Sequence, residues 1–193
     1  MSCRLIQNIK HGCEYNAGGI TNIYIMDIDD FLYYLFKGDK LYNQCFVNDI
    51  IVTKEGELTA ISKFVELDTV NESNFTETQD NGIYKQQLST FIRTPEATKS
   101  ANLLLAGVNK YLIAFRTSQD RYYCFGSDGG ASLSYSQISG QTGEVSGYTI
   151  TISKESIYPC FETDKAVFRN IIRLLSHEDG LYTVTEDNYS INI

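Results

Sequence analysis

The sequence predicts a mainly β, α+β fold. Of its 193 residues, 14 are tyrosine and 10 are phenylalanine, and aromatic and β-branched side chains favour strands. Several short segments alternate apolar and polar residues, which is typical of half-buried strands. One segment, about residues 94–108, has instead the apolar spacing of a helix. Together these observations predict a sheet system covered by one packed helix.

The predicted helix begins with capping residues. The hydroxyl of Thr94 accepts a bond from a free amide of the first turn, and Pro95 suits the first helical position. Glu96 adds a negative charge at the positive end of the helix dipole. Gly107 and Asn109 are the predicted stop residues. The spacing predicts one apolar stripe that covers the core, formed by Ala97, Ala101, Leu104, Leu105 and Val108.

Strands are predicted on both sides of this helix. They are Ile20–Ile28, Cys45–Val52, Leu58–Val65, Tyr84–Arg93, Tyr111–Phe115, Arg121–Phe125, Ala131–Ser136 and Tyr148–Ile152. Phe31–Phe36 fits either a turn of helix or a strand. Glu66–Asp80 is acidic and poor in apolar residues, which predicts an exposed loop or a projecting hairpin.

A second helix is predicted near the end of the sequence. The apolar residues of Ala166–Leu175 have helical spacing, and a hairpin or arm follows them. We therefore predict a β domain over residues 1–155 and a helix-and-arm extension over residues 156–193. The chain length suits one domain with such an extension.

The charge balance limits the partners of the chain. The net charge is −8, and tight binding to a phosphate backbone requires clustered Lys and Arg. The first residues lack the apolar core of a secretory signal, and no apolar stretch reaches bilayer length. The five cysteines are odd in number and scattered, which predicts reduced, mostly buried thiols.

The metal ligands that the sequence offers are few. Cys3, His11 and Cys13 are candidates, with Cys45 as a fourth ligand. Zinc sites pair their ligands two to four residues apart, whereas nine residues separate the two N-terminal cysteines. We therefore predict ordinary thiols and no metal or other cofactor.

Three further patterns have both a functional and a structural interpretation. Gly126–Gly130 has the glycines of a phosphate-binding loop but lacks its lysine and helix, which favours a plain turn. Asp27, Asp29 and Asp30 are acidic but lack the other residues of a calcium loop, which favours a solvated strand end. A set of nine tyrosines has two interpretations. They form either a sugar-stacking face or the packing of the core and of contacts between subunits, and the absence of tryptophan favours packing. These are Tyr33, Tyr34, Tyr42, Tyr84, Tyr111, Tyr122, Tyr123, Tyr135 and Tyr148.

The sequence lacks the common catalytic motifs. Only two histidines, His11 and His177, are present, and no metalloprotease, serine hydrolase, Walker or dinucleotide motif occurs. Because no nucleophile and base are paired, we predict a protein that is not an enzyme.

Two segments resemble small virion proteins of tailed phages that infect gut Bacteroidetes, including crAss-like phages. The first is CEYNAGGITNIYI, from Cys13 to Ile25. The second, Tyr111–Ile152, follows the order strand, glycine turn, strand, glycine loop and GYTITI strand. Together the two segments cover about half the chain, and the sequence after Ile152 departs from the pattern. The resemblance implies a tail-tube-like β-sandwich or barrel with a helix packed against it.

The same resemblance implies a structural role. Such proteins close into homo-oligomeric rings in the tail or head-to-tail connector, which line the channel for genome passage. The expected partners are further copies of the chain and adjacent tail, neck or portal proteins, with double-stranded DNA only in transit and no membrane. The expected location is the virion, after assembly in the host cytoplasm. The alternative is a carbohydrate- or receptor-binding β-sandwich module of a tail or adhesin.

Overall fold

The computed structural model describes residues 18–38, 45–52, 63–67, 73–139 and 145–169. These residues form one mixed sheet of eleven strands. The strands are β1 Ile20–Asp27, β2 Phe31–Phe36, β3 Phe46–Val52, β4 Val65–Leu67, β5 Asn74–Asp80, β6 Ile83–Arg93, β7 Lys110–Thr117, β8 Tyr122–Phe125, β9 Ala131–Ile138, β10 Gly147–Ser156 and β11 Phe161–Thr163. The helices are α1 Ala97–Ala106 and α2 Ala166–Arg169, and a 3-10 turn, Ile28–Asp30, joins β1 to β2. The mainly β, α+β prediction is confirmed, and the tail-tube arrangement stays a prediction.

The sheet forks at β7. The hydrogen-bonded order is β2-β3-β11-β8-β7-β9-β10-β6-β5, and β1 lies along the other side of β7 with β4 beyond it. Along β7, Ile113–Arg116 pairs with β8, while Lys110 and Tyr111 pair with β9. The strand pairs are antiparallel except for β11 and β3, which run parallel. The fork therefore divides the sheet into two wings that share β7. The first wing consists of β8, β11, β3 and β2, and the second wing consists of β9, β10, β6 and β5.

Each wing encloses its own hydrophobic core, and β7 contributes to both. Leu112 and Ala114 point into the first core, whereas Tyr111, Ile113 and Phe115 point into the second. All five side chains are buried. Burying one large apolar side chain contributes about 1.5–3 kcal/mol, so β7 supports both halves of the molecule. A strand buried on both faces has a continuous apolar sequence, as YLIAF does.

The start of α1 differs from the prediction. Thr94 has a φ of +63° and lies outside the helix, so it is not the N-cap. The N-cap is Glu96, whose side chain makes no capping bond, and the helix begins at Ala97. The backbone N–H of Thr94 donates to Ser146 O at 3.2 Å, and this bond fixes Thr94, just after β6, beside the residue that precedes β10. The helix ends at Ala106 before Gly107, as predicted, although Gly107 has right-handed helical dihedrals.

The orientation of α1 also differs from the prediction. Leu103, which lies outside the predicted stripe, is the buried residue of this helix. The predicted stripe faces solvent instead, and all five of its residues are exposed. The hydroxyls of Ser100 and Tyr148 form a hydrogen bond that joins the helix to β10. The helix therefore rests on the sheet through a narrow contact and turns its apolar side outward.

The predicted acidic segment Glu66–Asp80 is partly regular structure. Glu66 lies in β4, and Asn74–Asp80 is β5, an edge strand that pairs with β6 along its whole length. The turn between β5 and β6 is Asn81-Gly82, and both residues have positive φ, as this kind of tight hairpin requires. The segment is therefore a hairpin strand at the sheet edge and not a loop over residues 74–80.

The sheet continues past the domain boundary predicted at residue 155. β11 lies between β3 and β8, and Val167 and Phe168 of α2 are buried in the first core. The rings of Phe168 and Tyr122 stack with their centroids 4.8 Å apart. The second helix begins at Ala166, as predicted, and its predicted continuation to Leu175 and the arm lie outside the described residues. Most of the strand predicted at Leu58–Val65 also lies outside them.

Candidate functional site

The candidate metal ligands are not brought together in the described residues. Cys3, His11 and Cys13 lie outside them, and Cys45 is exposed immediately before β3. Within residues 18–38, 45–52, 63–67, 73–139 and 145–169, no three His, Cys, Asp or Glu side chains are grouped as metal ligands.

Two of the three aspartates near the end of β1 have carboxylates with structural roles. Asp27 Oδ1 accepts from the backbone N–H of Asp29 at 3.1 Å and so caps the 3-10 turn. Asp30 forms an ion pair with Lys63 Nζ at 3.0 Å. Because these carboxylates bond to separate partners, the solvated strand end is the better interpretation.

The Gly126–Gly130 loop is a turn that closes on itself. The backbone N–H of Gly130 donates to Gly126 O at 2.8 Å, and both glycines have positive φ. Lys154 Nζ donates to Asp128 O at 2.6 Å and lies 3.4 Å from Asp128 Oδ1. A lysine does reach the loop, from β10, but it binds the loop itself, which suits the interpretation as a plain turn.

The buried thiol of Cys124 is not an activated nucleophile. Burial raises its pKa from 9.0 to about 11, although the bond that Thr163 Oγ1 donates to the sulfur at 2.9 Å opposes the rise. Burial also raises the pKa of Tyr34 well above its usual range, and the nearby Cys124 sulfur adds to the effect. A catalytic thiol needs a lowered pKa and a neighbouring base. The pKa values of Cys124 and Tyr34 are instead both raised, so the thiol is not activated.

The tyrosines do not form one exposed face. Tyr111, Tyr122 and Tyr148 are buried in the cores, which confirms the packing interpretation for these three. Tyr33 and Tyr135 are exposed, but they lie on β2 and β9, in different wings. Tyr42 lies outside the described residues.

Two groups of apolar residues, the helix patch and the strand patch, are exposed, and the members of each group lie close together in the sequence. The helix patch consists of Leu104, Leu105 and Val108, which are 64%, 68% and 79% exposed. The strand patch consists of Leu32, Tyr33 and Leu35 on β2, which are 52%, 56% and 48% exposed. Single exposed apolar residues are ordinary, whereas grouped ones mark contact surfaces. The sequence contains both groups, but periodicity alone predicts that such residues face the core.

The two patches differ in backbone character. β2 is the last strand at one end of the hydrogen-bonded order, so one side of its backbone has no partner strand among the described residues. The other end of the order is β5, whose side chains are polar except for Phe75. An apolar edge strand favours pairing with another chain, whereas charges on an edge oppose it. β2 thus combines exposed apolar side chains with a strand edge that has no partner in the described residues.

A pocket opens beside the second core, between β5 and the ends of β1, β7 and β8. Its volume is about 400 Å³, and three aromatic rings line it, those of Phe75, Phe115 and Tyr123. The remaining lining residues of this aromatic pocket are Gly19, Ile20, Asn74, Glu77, Thr117 and Cys160. The sequence did not predict the pocket, because the edge strand β5 meets the other wing only through tertiary contacts.

Comparisons with protein-family models, curated proteins and solved structures found no match to this chain. None of the helices in the described ranges combines the length and the apolar character that crossing a membrane would need.

Proposed function

We propose that this chain is a phage virion structural protein that assembles into a homo-oligomeric ring in the tail or head-to-tail connector. The observation that carries this proposal is the pair of apolar patches on different elements of one chain. Head-to-tail contacts, which generate rings, join two different surfaces of the same molecule. The helix patch of one copy docks on the strand patch of the next.

The placement of the patches supports this contact. α1 follows β6 and touches β10 in one wing, whereas β2 is the outermost strand of the other wing. Burying an apolar surface on each copy gives the association its driving force. The edge of β2, which has no partner strand within the part of the chain that the structure describes, offers backbone groups to a neighbouring chain.

The resemblance of Cys13–Ile25 and Tyr111–Ile152 to virion proteins supports the phage context. The net charge of −8 suits a channel through which DNA passes without adhering, since adhesion requires clustered cations. In this proposal the partners are neighbouring copies and adjacent tail, neck or portal proteins. The chain acts by its shape and is not an enzyme.

The first test is the mass and shape of the purified protein. Light scattering with size-exclusion chromatography is expected to give an oligomer, and negative-stain images are expected to give rings or short tubes. The alternative, a carbohydrate- or receptor-binding module, predicts a monomer or trimer. A monodisperse monomer that binds glycans would exclude the ring.

Two variants test which surfaces meet. Leu105→Lys places a charge in the helix patch, and Tyr33→Lys places one in the strand patch. Each variant alone is expected to remain monomeric, because each contact of a head-to-tail ring uses both patches. Ile157→Lys is the control, since Ile157 is 66% exposed and lies outside both patches. The control is expected to assemble as the unmodified chain does.

Mixing the two monomeric variants separates head-to-tail from face-to-face contact. Leu105→Lys keeps an intact strand patch and Tyr33→Lys keeps an intact helix patch, so one copy of each forms a single contact. The mixture is therefore expected to yield one-to-one dimers and nothing larger. If each variant instead dimerises with itself, the contacts are symmetric and the ring proposal is wrong.

A further inference from the structure

The aromatic pocket lies where β5 and β6 of the second wing contact residues 158–160, which precede β11 of the first wing. The backbone N–H of Cys160, just before β11, donates to Glu77 Oε2 at 2.6 Å. Gln86 Nε2 donates to the same oxygen at 2.8 Å and to Tyr158 O at 3.2 Å. Ring contacts within the second core add to this, since Phe75 on β5 lies 4.8 Å from Phe115 on β7, centroid to centroid. The pocket is therefore a concave site lined by residues that are far apart in the sequence, as small-molecule sites are.

The carboxylate of Glu77 is fixed but has no cationic partner among the described residues. Two neutral donors hold Oε2, so the side chain has a defined position at the pocket. The ion pairs within the described ranges involve other carboxylates, namely those of Asp30, Glu96, Asp120, Asp128 and Glu162. A fixed carboxylate without a counter-ion attracts a cation, because the cost of orienting the carboxylate has already been met.

Glu77 supplies the charge of the pocket, and the rings supply its apolar walls. Phe115 is buried at the side of the pocket, while Phe75 and Tyr123 are half-buried. Burial raises the pKa of Cys160, so its thiol is neutral near pH 7. Asn74 and Thr117 are uncharged. The lining thus combines one anion with three aromatic rings, whose faces attract cations.

We propose that the aromatic pocket binds a small organic ammonium ion, with its alkyl part against Phe75, Phe115 and Tyr123 and its charged nitrogen at Glu77. The pocket volume of about 400 Å³ falls within the range of small-molecule sites. A neutral ligand of the same shape forms no ion pair with the exposed carboxylate of Glu77, and a hydrated metal ion gains nothing from the apolar walls. The combination therefore selects an alkylammonium group. This site is independent of the proposed ring.

The test compares matched probes on the unmodified protein. Titrations of n-butylammonium, tetramethylammonium and 1-butanol are followed by NMR chemical shifts of the pocket residues. Binding of the ammonium ions is expected in the millimolar range, as suits ligands of so few atoms. 1-Butanol is expected to bind at least ten-fold more weakly. Equal binding of butanol and butylammonium, or the absence of saturable shifts in the pocket, would overturn the proposal.

A matched pair of variants assigns the charge. Glu77→Gln keeps an oxygen that accepts from Gln86 and Cys160 but removes the charge, and it is expected to weaken ammonium binding at least ten-fold. Glu155→Gln removes an exposed carboxylate of β10 that lies outside the aromatic pocket, and binding is expected to change less than two-fold. An equal loss in both variants would indicate general charge attraction and contradict the site. If Glu77→Gln fails to fold, the comparison of ammonium and alcohol on the unmodified chain decides.

Discussion

Gly126 and Gly82 both have a positive φ, of +96° and +84°, but their surroundings differ. A Cβ on Gly126 would lie 2.8 Å from Tyr111 O, a backbone atom that cannot move aside easily, whereas a Cβ on Gly82 meets nothing within 4 Å. The two positions therefore separate the cost of the backbone conformation from the cost of a steric clash.

Alanine substitutions at three glycines measure these costs. Gly82→Ala is expected to lower the free energy of unfolding by about 1–2 kcal/mol, the cost of a left-handed conformation in an L-residue. Gly126→Ala is expected to cost clearly more, because the clash adds to it. Gly18→Ala, which has neither constraint, is the control. Urea denaturation gives the three values, and equal losses at positions 126 and 82 would contradict the close approach at β7.

The raised pKa of Cys124 predicts a pH dependence of stability. Between pH 9.0 and about 11 the unfolded chain releases this proton while the folded chain retains it. The stability contribution is thus fully present below pH 9.0 and is lost as the pH rises through about 11, a total of about 2–3 kcal/mol. Denaturation curves over this range are expected to show the loss.

Two cysteine variants identify the group responsible for that loss. Cys124→Ala is expected to reduce the slope above pH 9.0, whereas Cys45→Ala, at an exposed thiol, is expected to leave it unchanged. Part of the slope is expected to remain in Cys124→Ala, because burial also raises the pKa values of Tyr34 and Cys160. An unaltered slope in Cys124→Ala would show that this thiol does not titrate as a buried group.

At the scale of elements, α1 has one leucine that faces the sheet and two neighbouring leucines that face away from it. Leu103 is buried with the second core, whereas Leu104 is 64% exposed. Leu103→Ala is expected to cost about 2–5 kcal/mol, and Leu104→Ala to stay within about 0.5 kcal/mol. The measurement is the free energy of unfolding, at a protein concentration below that of assembly. The reverse order would mean that the helix is turned the other way.

The sequence correctly predicted that this helix exists but not which side faces inward. Hydrophobic spacing indicates an apolar stripe, and in a single folded chain that stripe usually covers the core. Here the stripe is exposed, and Leu103 from outside it makes the contact. Thr94 was predicted as the cap because of its hydroxyl, but the chain reaches it from the long strand β6 and its amide pairs with Ser146. Such tertiary contacts leave no local signal.

The strands were more predictable than the sites. Alternation and turn residues are local properties, and they located β1, β3, β6, β7, β8, β9 and β10. The aromatic pocket depends instead on contacts of β5 and β6 with residues 158–160, which are far from these strands in the sequence. For Glu66–Asp80 the sequence predicts an exposed loop or a projecting hairpin, and β5 forms a hairpin with β6. The strand itself has no local signal, because its one apolar residue, Phe75, gives no alternation.

At the scale of the whole molecule, the double burial of β7 predicts that the two wings unfold together. Leu112→Ala opens a cavity in the first core and Ile113→Ala opens one in the second, and each is expected to cost about 2–5 kcal/mol. Both variants are expected to show one transition that coincides by near- and far-ultraviolet circular dichroism. Two separated transitions in either variant would show that the wings are independent folding units.

The position of β11 has a consequence for the synthesis of the protein. This strand of three residues, Phe161–Thr163, lies between β3 and β8, which precede it in the chain. While the chain is being made, both of those strands therefore keep an open edge until the ribosome has released residues beyond position 163. Edges of this kind recruit other chains. Ribosomes that stall before Phe161 would thus release products prone to aggregate, and translation beyond Thr163 is a condition for joining β3 to β8 through β11.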